Sequence, residues 1–155
     1  MNVVLVEPEI PPNTGNVARL CAATGAVLHL VGPLGFKLTD RELKRAGMDY
    51  WQQVTWKYWD SWTALRAAAS HDRFYYATTK SRRPYTAVRY AWGDYLVFGR
   101  ETAGLPASLL EANVERTITI PMLNPQARSL NLATAVAVVL YEAVRQTHPT
   151  WGPPP

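Results

Sequence analysis

Short apolar runs and helix-patterned stretches take turns along this chain, and that alternation restricts its possible folds more than any other feature. Strand-like runs occur at Asn2–Glu7, Val27–Val31, Arg73–Ala77, Asp94–Phe98 and Arg116–Ile120, with a fainter one at Gln53–Lys57. Helical patterns fall between them, at Thr14–Thr24, Asp40–Ala46, Ser61–Ser70, Ala107–Ala112 and Leu130–Gln146. Strands alternating with helices and short loops predict an α/β fold, a parallel sheet with helices on both faces. The boundaries carry their own chemistry. Asn13 or Thr14 is expected to cap the first helix, Gly25 to end it, Asp60 to cap the helix before Trp62, and Pro106 to sit in the first turn of the next. The strand ends after Phe98 and after Ile120 lead into glycine-bearing and polar loops. As neighbours in a parallel sheet, such loops enclose a cleft lined with main-chain groups.

The length of 155 residues suits one domain, placed at 1–147, with a Pro-rich tail at 148–155 that is expected to fray or lie over the surface. Hydrophobic residues make up 48% and charged residues 18%, a composition that excludes a disordered chain. The lone Cys21 rules out an internal disulfide framework and a cysteine-rich zinc site, which points to a reducing, cytoplasmic setting. Its apolar helical context reads as core. No apolar run approaches the ~20 residues that span a bilayer, and Met1–Val6 reads as a first strand, so no membrane partner is expected. The segment Leu132–Tyr141 is apolar on nearly every face. A sheet covers one side of such a helix, and Ala133, Ala135 and Ala137 permit close approach on another, which favours a homodimer over burial within one chain.

Sixteen basic residues against 12 acidic ones give a net charge of +4 and a pI of about 9.4. The distribution is more informative than the total. Lys37, Arg41, Lys44 and Arg45 form one cluster near Tyr50 and Trp51, and Lys80, Arg82, Arg83 and Arg89 form another near Tyr85, Tyr90 and Trp92. Arginine beside exposed rings can hold phosphates and stack on bases; a solvated surface with packed aromatics is the alternative.

Several chemistries lose their usual support. His29, His71 and His148 have no metal-ligand spacing, and the chain lacks HExxH, a P-loop, GxSxG and GxGxxG. His29 alternates within Val27–Val31 and reads as a structural strand residue. What remains is glycine, amide, hydroxyl, one carboxylate and arginine. Gly99, after Val97-Phe98, can let a ligand approach the backbone closely. Glu101 can orient a cation or a hydroxyl. Ser129 and Asn131 can cap the last helix or reach a ligand. Asn13, Asn16 and Arg19 recur at three-residue steps and are expected along one helix face, where arginine beside amides suits a phosphate or hydroxyl.

No one of these signals is specific, but their order is. Asn13-Thr-Gly-Asn-Val-Ala-Arg19, then Gly99-Arg-Glu-Thr-Ala-Gly-Leu-Pro106, then Ile120-Pro-Met with Arg128-Ser-Leu-Asn-Leu132, resemble the three motifs of the SPOUT-class RNA 2′-O-methyltransferases. The resemblance spans Asn2 to about Arg145. Within that class, the opening Glu7-Pro-Glu-Ile-Pro-Pro-Asn-Thr-Gly-Asn and the small size are similar to the branch that methylates the tRNA wobble nucleotide, position 34, on cytidine or modified uridine. The resemblance implies a Rossmann-like α/β knot, with a deep trefoil knot in the C-terminal part, and a homodimer acting on tRNA. It also implies S-adenosylmethionine as cofactor, S-adenosylhomocysteine as product, and no metal.

Carried over by matching motifs, the cofactor would lie against Ala77, Thr78, Gly99, Glu101, Gly104, Ile120, Met122, Ser129 and Leu130. Asn13, Arg19, Glu101, Ser129 and Asn131 would surround the transferred methyl and the target ribose. RNA would be held by Arg41, Lys44, Arg45, Lys80, Arg82, Arg83 and Arg100. Arg100 and Ala103 depart from the proline and arginine usual in the family, so Arg100 is expected to replace the missing charge. A guanidinium stays protonated at ordinary pH, so Arg19 is read as a fixed cation beside the hydroxyl or phosphate, with the proton passing to water, Ser129 or phosphate. The competing readings are 2′-O-methylation of another tRNA or rRNA nucleotide, a non-catalytic RNA-binding module of the same fold, and a small-molecule α/β enzyme.

Overall fold

In a computed structural model, which describes residues 1–38, 51–71, 73–148 and 150, six parallel strands form one sheet in the order β3-β2-β1-β5-β4-β6. They are β1 (Asn2–Val6), β2 (Val27–Val31), β3 (Trp56–Trp59), β4 (Phe74–Ala77), β5 (Tyr95–Phe98) and β6 (Thr117–Ile118). The helices are α1 (Pro11–Thr24), α2 (Trp62–Ala68), α3 (Ala107–Glu111) and α4 (Leu132–Thr147). The α/β parallel sheet expected from the sequence is the one observed. The expected helix at Asp40–Ala46 lies outside the described residues.

Strand alternation divides the core in two. Val3, Leu5, Leu28, Leu30, Leu96 and Phe98 point to the face covered by α1 and α4, where they meet Val17, Cys21, Val136, Val139 and Leu140. Val4, Val6, Val31, Phe74, Tyr76 and Val97 point to the other face, against Leu65 of α2 and Leu110 of α3. Apolar side chains on both faces of the central strands make such a strand read as a continuous run, not as an alternating one.

Two buried groups that could titrate, Cys21 and His29, are accounted for by this packing. Cys21 is fully buried, and burial pushes its thiol up to about 12, as its core reading requires. His29 is buried within β2: its Nδ1 accepts from Trp59 Nε1 at 3.0 Å, and its Nε2 lies 3.0 Å from Asn2 Oδ1. Indole only donates, so Nδ1 must be the acceptor and Nε2 carries the proton. Burial holds this imidazole down to about 4, with the Lys57 charge a smaller contribution. The structural role expected of His29 is the observed one.

Three helix boundaries differ from expectation. Helix α1 begins two residues before Asn13, with Ile10 at its N-cap and Pro11 and Pro12 at the first two helical positions. Two prolines remove two of the amide hydrogens that a cap would satisfy, so Asn13 and Thr14 fall inside the helix. The cap of α2 is Ser61, not Asp60; its hydroxyl accepts from the Ala64 amide at 3.2 Å. Pro106 is the N-cap of α3, one place before its first turn. Gly25 does end α1, at φ 67°. On α4, Val136, Val139, Leu140 and Ala143 are fully covered, whereas Ala137 and Val138 are half-buried and Tyr141 is 40% exposed.

The strand order reverses between β1 and β5, since successive strands run outward from β1 to β3 on one side and lie beyond β5 on the other. Loops leaving the carboxyl ends of two such strands diverge and leave a crevice, the usual place for a ligand in an open parallel sheet.

Candidate active site

A cavity of about 570 Å³ opens at that crevice. Its walls come from five places in the sequence: Ile10 and Asn13 at the start of α1, Ala77–Lys80 at the end of β4, Phe98–Leu105 at the end of β5, Leu110 of α3, and Thr119, Ile120, Met122 and Arg128–Leu132 leading into α4, with Ala135 one turn on. Of the residues expected from the sequence to hold a cofactor, Ala77, Thr78, Gly99, Glu101, Gly104, Ile120, Met122, Ser129 and Leu130 all line it. So do Asn13, Asn131, Lys80 and Arg100.

Each wall is shaped by local chemistry. The turn after β5 doubles back through paired main-chain bonds, Arg100 N–H to Gly104 O at 3.2 Å and Gly104 N–H to Arg100 O at 2.9 Å. A Cβ on Gly99 would lie 2.1 Å from Gly104 C and 2.2 Å from Leu105 N. The chain's own backbone therefore requires glycine at this position, which also lines the cavity. Gly104 takes φ 69°, which closes the turn at little steric cost. At the sheet edge, β6 pairs with β4 over two residues. Beyond it, Thr119 accepts from Tyr85 N and donates to Arg83 O, so the segment after β4 flanks the cavity wall.

A polar chain joins the three motifs. Glu101 Oε2 accepts from the Glu9 amide at 2.8 Å, and Oε1 accepts from the Ile10 amide at 3.1 Å and from Asn13 Nδ2 at 3.2 Å. Asn13 Oδ1 accepts from Asn131 Nδ2 at 2.9 Å. Asn131 Oδ1 in turn accepts from the amides of Ala133 and Thr134, capping α4. Asn13 is buried and both ends of its amide are used. Glu101 thus holds the entrance of α1, and Asn131 fulfils both roles open to it, cap and cavity wall. Ser129 and Asn131 are both exposed at the cavity rim, and of the two only Asn131 caps the helix.

The remaining residues are distributed differently. Asn13 is buried, but Asn16 and Arg19 are exposed, and Arg19 does not line the cavity. At about 100° per residue, steps of three drift by ~60° each, so Arg19 points ~120° away from Asn13 and the three do not share one face. The Arg100 guanidinium forms an ion pair with Glu7 and is 45% exposed. Arg83 donates to the carbonyls of Glu115 and Ala87, and Arg82 is exposed outside the cavity. Arg41, Lys44 and Arg45 lie outside the described residues. Sequence reasoning missed Glu9, whose carboxylate grips Thr102, and Arg128, which lines the cavity. The Arg128-Ser-Leu-Asn motif was the available signal for the second.

The model of the SpoU rRNA methylase family matches residues 1–141 of this chain. The chain belongs to that family. It is 50% identical over 147 residues to the tRNA (cytidine(34)-2'-O)-methyltransferase of Aeromonas hydrophila, covering 94% of each chain. Its fold matches a solved structure concerned with the 2-OH methylation of C/U34 on tRNA, with a TM-score of 0.88, 46% identity and 94% of each chain covered. It also matches the AdoMet-bound rRNA methyltransferase of Sinorhizobium meliloti, with a TM-score of 0.80 and 28% identity over 93% of this chain and 55% of that one.

The cavity fits such a cofactor. Its volume lies within the ~300–1,000 Å³ usual for small-molecule sites. Ile120, Met122, Leu130 and Leu132 offer an apolar slot for a flat base, and the backbone at 99–104 and 119–122 offers polar groups for sugar and amino acid. Among the described residues no cluster of His, Cys, Asp or Glu could hold a metal, and no helix is long and apolar enough to cross a membrane.

Proposed function

We propose that this chain transfers the methyl group of S-adenosylmethionine to the ribose 2′-hydroxyl of the tRNA wobble nucleotide, position 34. The observation that carries this reading is the Glu101–Asn13–Asn131 chain, which draws three distant motifs onto one cavity at the switch point of the sheet. When bound, the cofactor supplies an already activated sulfonium methyl. The protein's part is to align acceptor and donor, exclude water and stabilise charge on the oxygen. Ala77, Thr78, the 99–104 turn, Ile120, Met122 and Leu130 would hold the cofactor, with Ser129 on the rim facing the ribose. Lys80 and Arg100 at the mouth, with Arg82 and Arg83 beyond it, supply positive charge for RNA phosphates.

Arg19 is the proposed fixed cation beside the 2′-hydroxyl. It lies outside the cavity of its own chain, so this role requires a homodimer in which one copy presents Arg19 to the other's site. The half-covered stripe of α4, with Ala137, Val138 and Tyr141, supports such a pairing. The same reading includes the C-terminal trefoil knot, one catalytic domain over 1–147 with its tail at 148–155, and action on tRNA in the cytoplasm. The test is to incubate the protein with methyl-labelled cofactor and bulk tRNA and to map the product by nuclease digestion and mass spectrometry. A 2′-O-methyl group at position 34 supports the reading; label on a base, or only on a ribose at another position, refutes it.

A further inference from the structure

In the turn that forms one cavity wall, Gly99–Gly104, the base is buried at Gly99 but Thr102, Ala103 and Gly104 are all exposed. Its apex is fixed from outside. Thr102 donates its amide to Glu9 Oε2 at 3.1 Å, and its hydroxyl lies 2.8 and 3.0 Å from the two Glu9 carboxylate oxygens. The grip is reciprocal, because the Glu9 amide donates to the neighbouring Glu101 carboxylate at 2.8 Å. Glu9 is itself backed by main chain: a Cβ on Gly35 would lie 2.8 Å from Glu9 Cα, and the Gly35 amide donates to Pro8 O at 2.9 Å. Glu9 does not line the cavity, whereas Glu101 and Thr102 do.

We infer that Glu9 is a positioning residue for cofactor binding, acting through Thr102 to hold the 99–104 turn in its binding geometry. The inference rests on the methyltransferase reading above. Two charge-assisted bonds at the apex of an exposed turn pre-organise that wall, and their loss is felt by whatever the wall must grip. A merely structural Glu9 would change stability alone.

The test measures binding of S-adenosylhomocysteine by calorimetry to the wild type, Glu9→Gln, Thr102→Val, Thr102→Ser and the Glu9→Gln/Thr102→Val double variant, with thermal unfolding of each. Glu9→Gln and Thr102→Val should each weaken binding by roughly ten-fold while remaining folded. The double variant should be no weaker than either single one, and Thr102→Ser should bind like the wild type. For Glu9→Gln, whose residue lies outside the cavity, the loss should fall on cofactor KM, with kcat at saturating cofactor within about two-fold. Undiminished binding by Glu9→Gln, or Thr102→Ser as weak as Thr102→Val, overturns the inference and leaves the activity reading intact. A wild type that takes up no S-adenosylhomocysteine overturns the activity reading and this inference with it. Thr102 is exposed, so its variants test the clasp even where Glu9→Gln fails to fold.

Discussion

Replacing Asn13 by aspartate preserves shape and inverts one contact, which makes it a sharp probe of the polar chain. The side-chain amide that donates to Glu101 Oε1 at 3.2 Å becomes a carboxylate oxygen at the same place, while the acceptor facing Asn131 Nδ2 is kept. At that separation two unit charges repel by about 5 kcal/mol for an effective dielectric of ~20. Asn13 is only 7% exposed, so relaxation toward water relieves part of this, and a loss of about 2–4 kcal/mol at pH 7.5 is expected. The repulsion raises the introduced carboxyl above the ordinary carboxylate range in the folded state. A group whose folded pKa is raised adds stability at low pH and loses it as pH rises, so the deficit should shrink as pH falls from 7.5 to 5. Urea unfolding of wild type and Asn13→Asp at both pH values measures it, with Asn13→Ala as a control whose deficit stays constant. A deficit below about 1 kcal/mol, or one that does not change with pH, would refute the assigned hydrogen bonding.

Other parts of the structure make separate predictions. Gly99→Ala forces a Cβ against Gly104 and Leu105 backbone and must open the Arg100–Gly104 pair, so urea unfolding should show a loss of about 2–4 kcal/mol; tolerance within 1 kcal/mol would show that the turn is not as tight as described. His29, held at about 4 against an ordinary value of 6.5, leaves the unfolded state with more protons between those values. Stability from this residue is fully present above pH ~6.5 and falls by about 3 kcal/mol as pH drops to 4, a slope that His29→Gln should reduce in urea titrations. Arg19→Lys should lower the methylation rate by about 100-fold with cofactor affinity unchanged; a preserved rate across a pH–rate profile would contradict any need for the planar guanidinium.

The sheet was legible because its central strands are buried on both faces. Val27–Val31 was read to the residue, and β1 and β5 to within one residue at one end. The edges were harder. The run Arg116–Ile120 pairs with β4 only at Thr117 and Ile118, since Thr119 is claimed by Arg83 and Tyr85. The fainter run at Gln53–Lys57 became a 3-10 turn at Trp51–Gln53 followed by β3 at Trp56–Trp59. The start of α1 was missed because its cap, Ile10, has no side-chain acceptor; the consecutive prolines were the usable local signal. Cavity residues were identified by motif order, and that order does not encode partners. Glu9 and Thr102 are 93 positions apart, and no periodicity links a carboxylate to a hydroxyl at that distance. The direction of Arg19 failed for a simpler reason: three-residue steps on a helix do not hold a constant face beyond one step.

The most direct test of the central claim compares methyl transfer from labelled cofactor to two versions of one tRNA, identical except that the ribose at position 34 carries a 2′-hydroxyl in one and hydrogen in the other. Transfer to the first and none to the second is the predicted result. Equal labelling of both would contradict it.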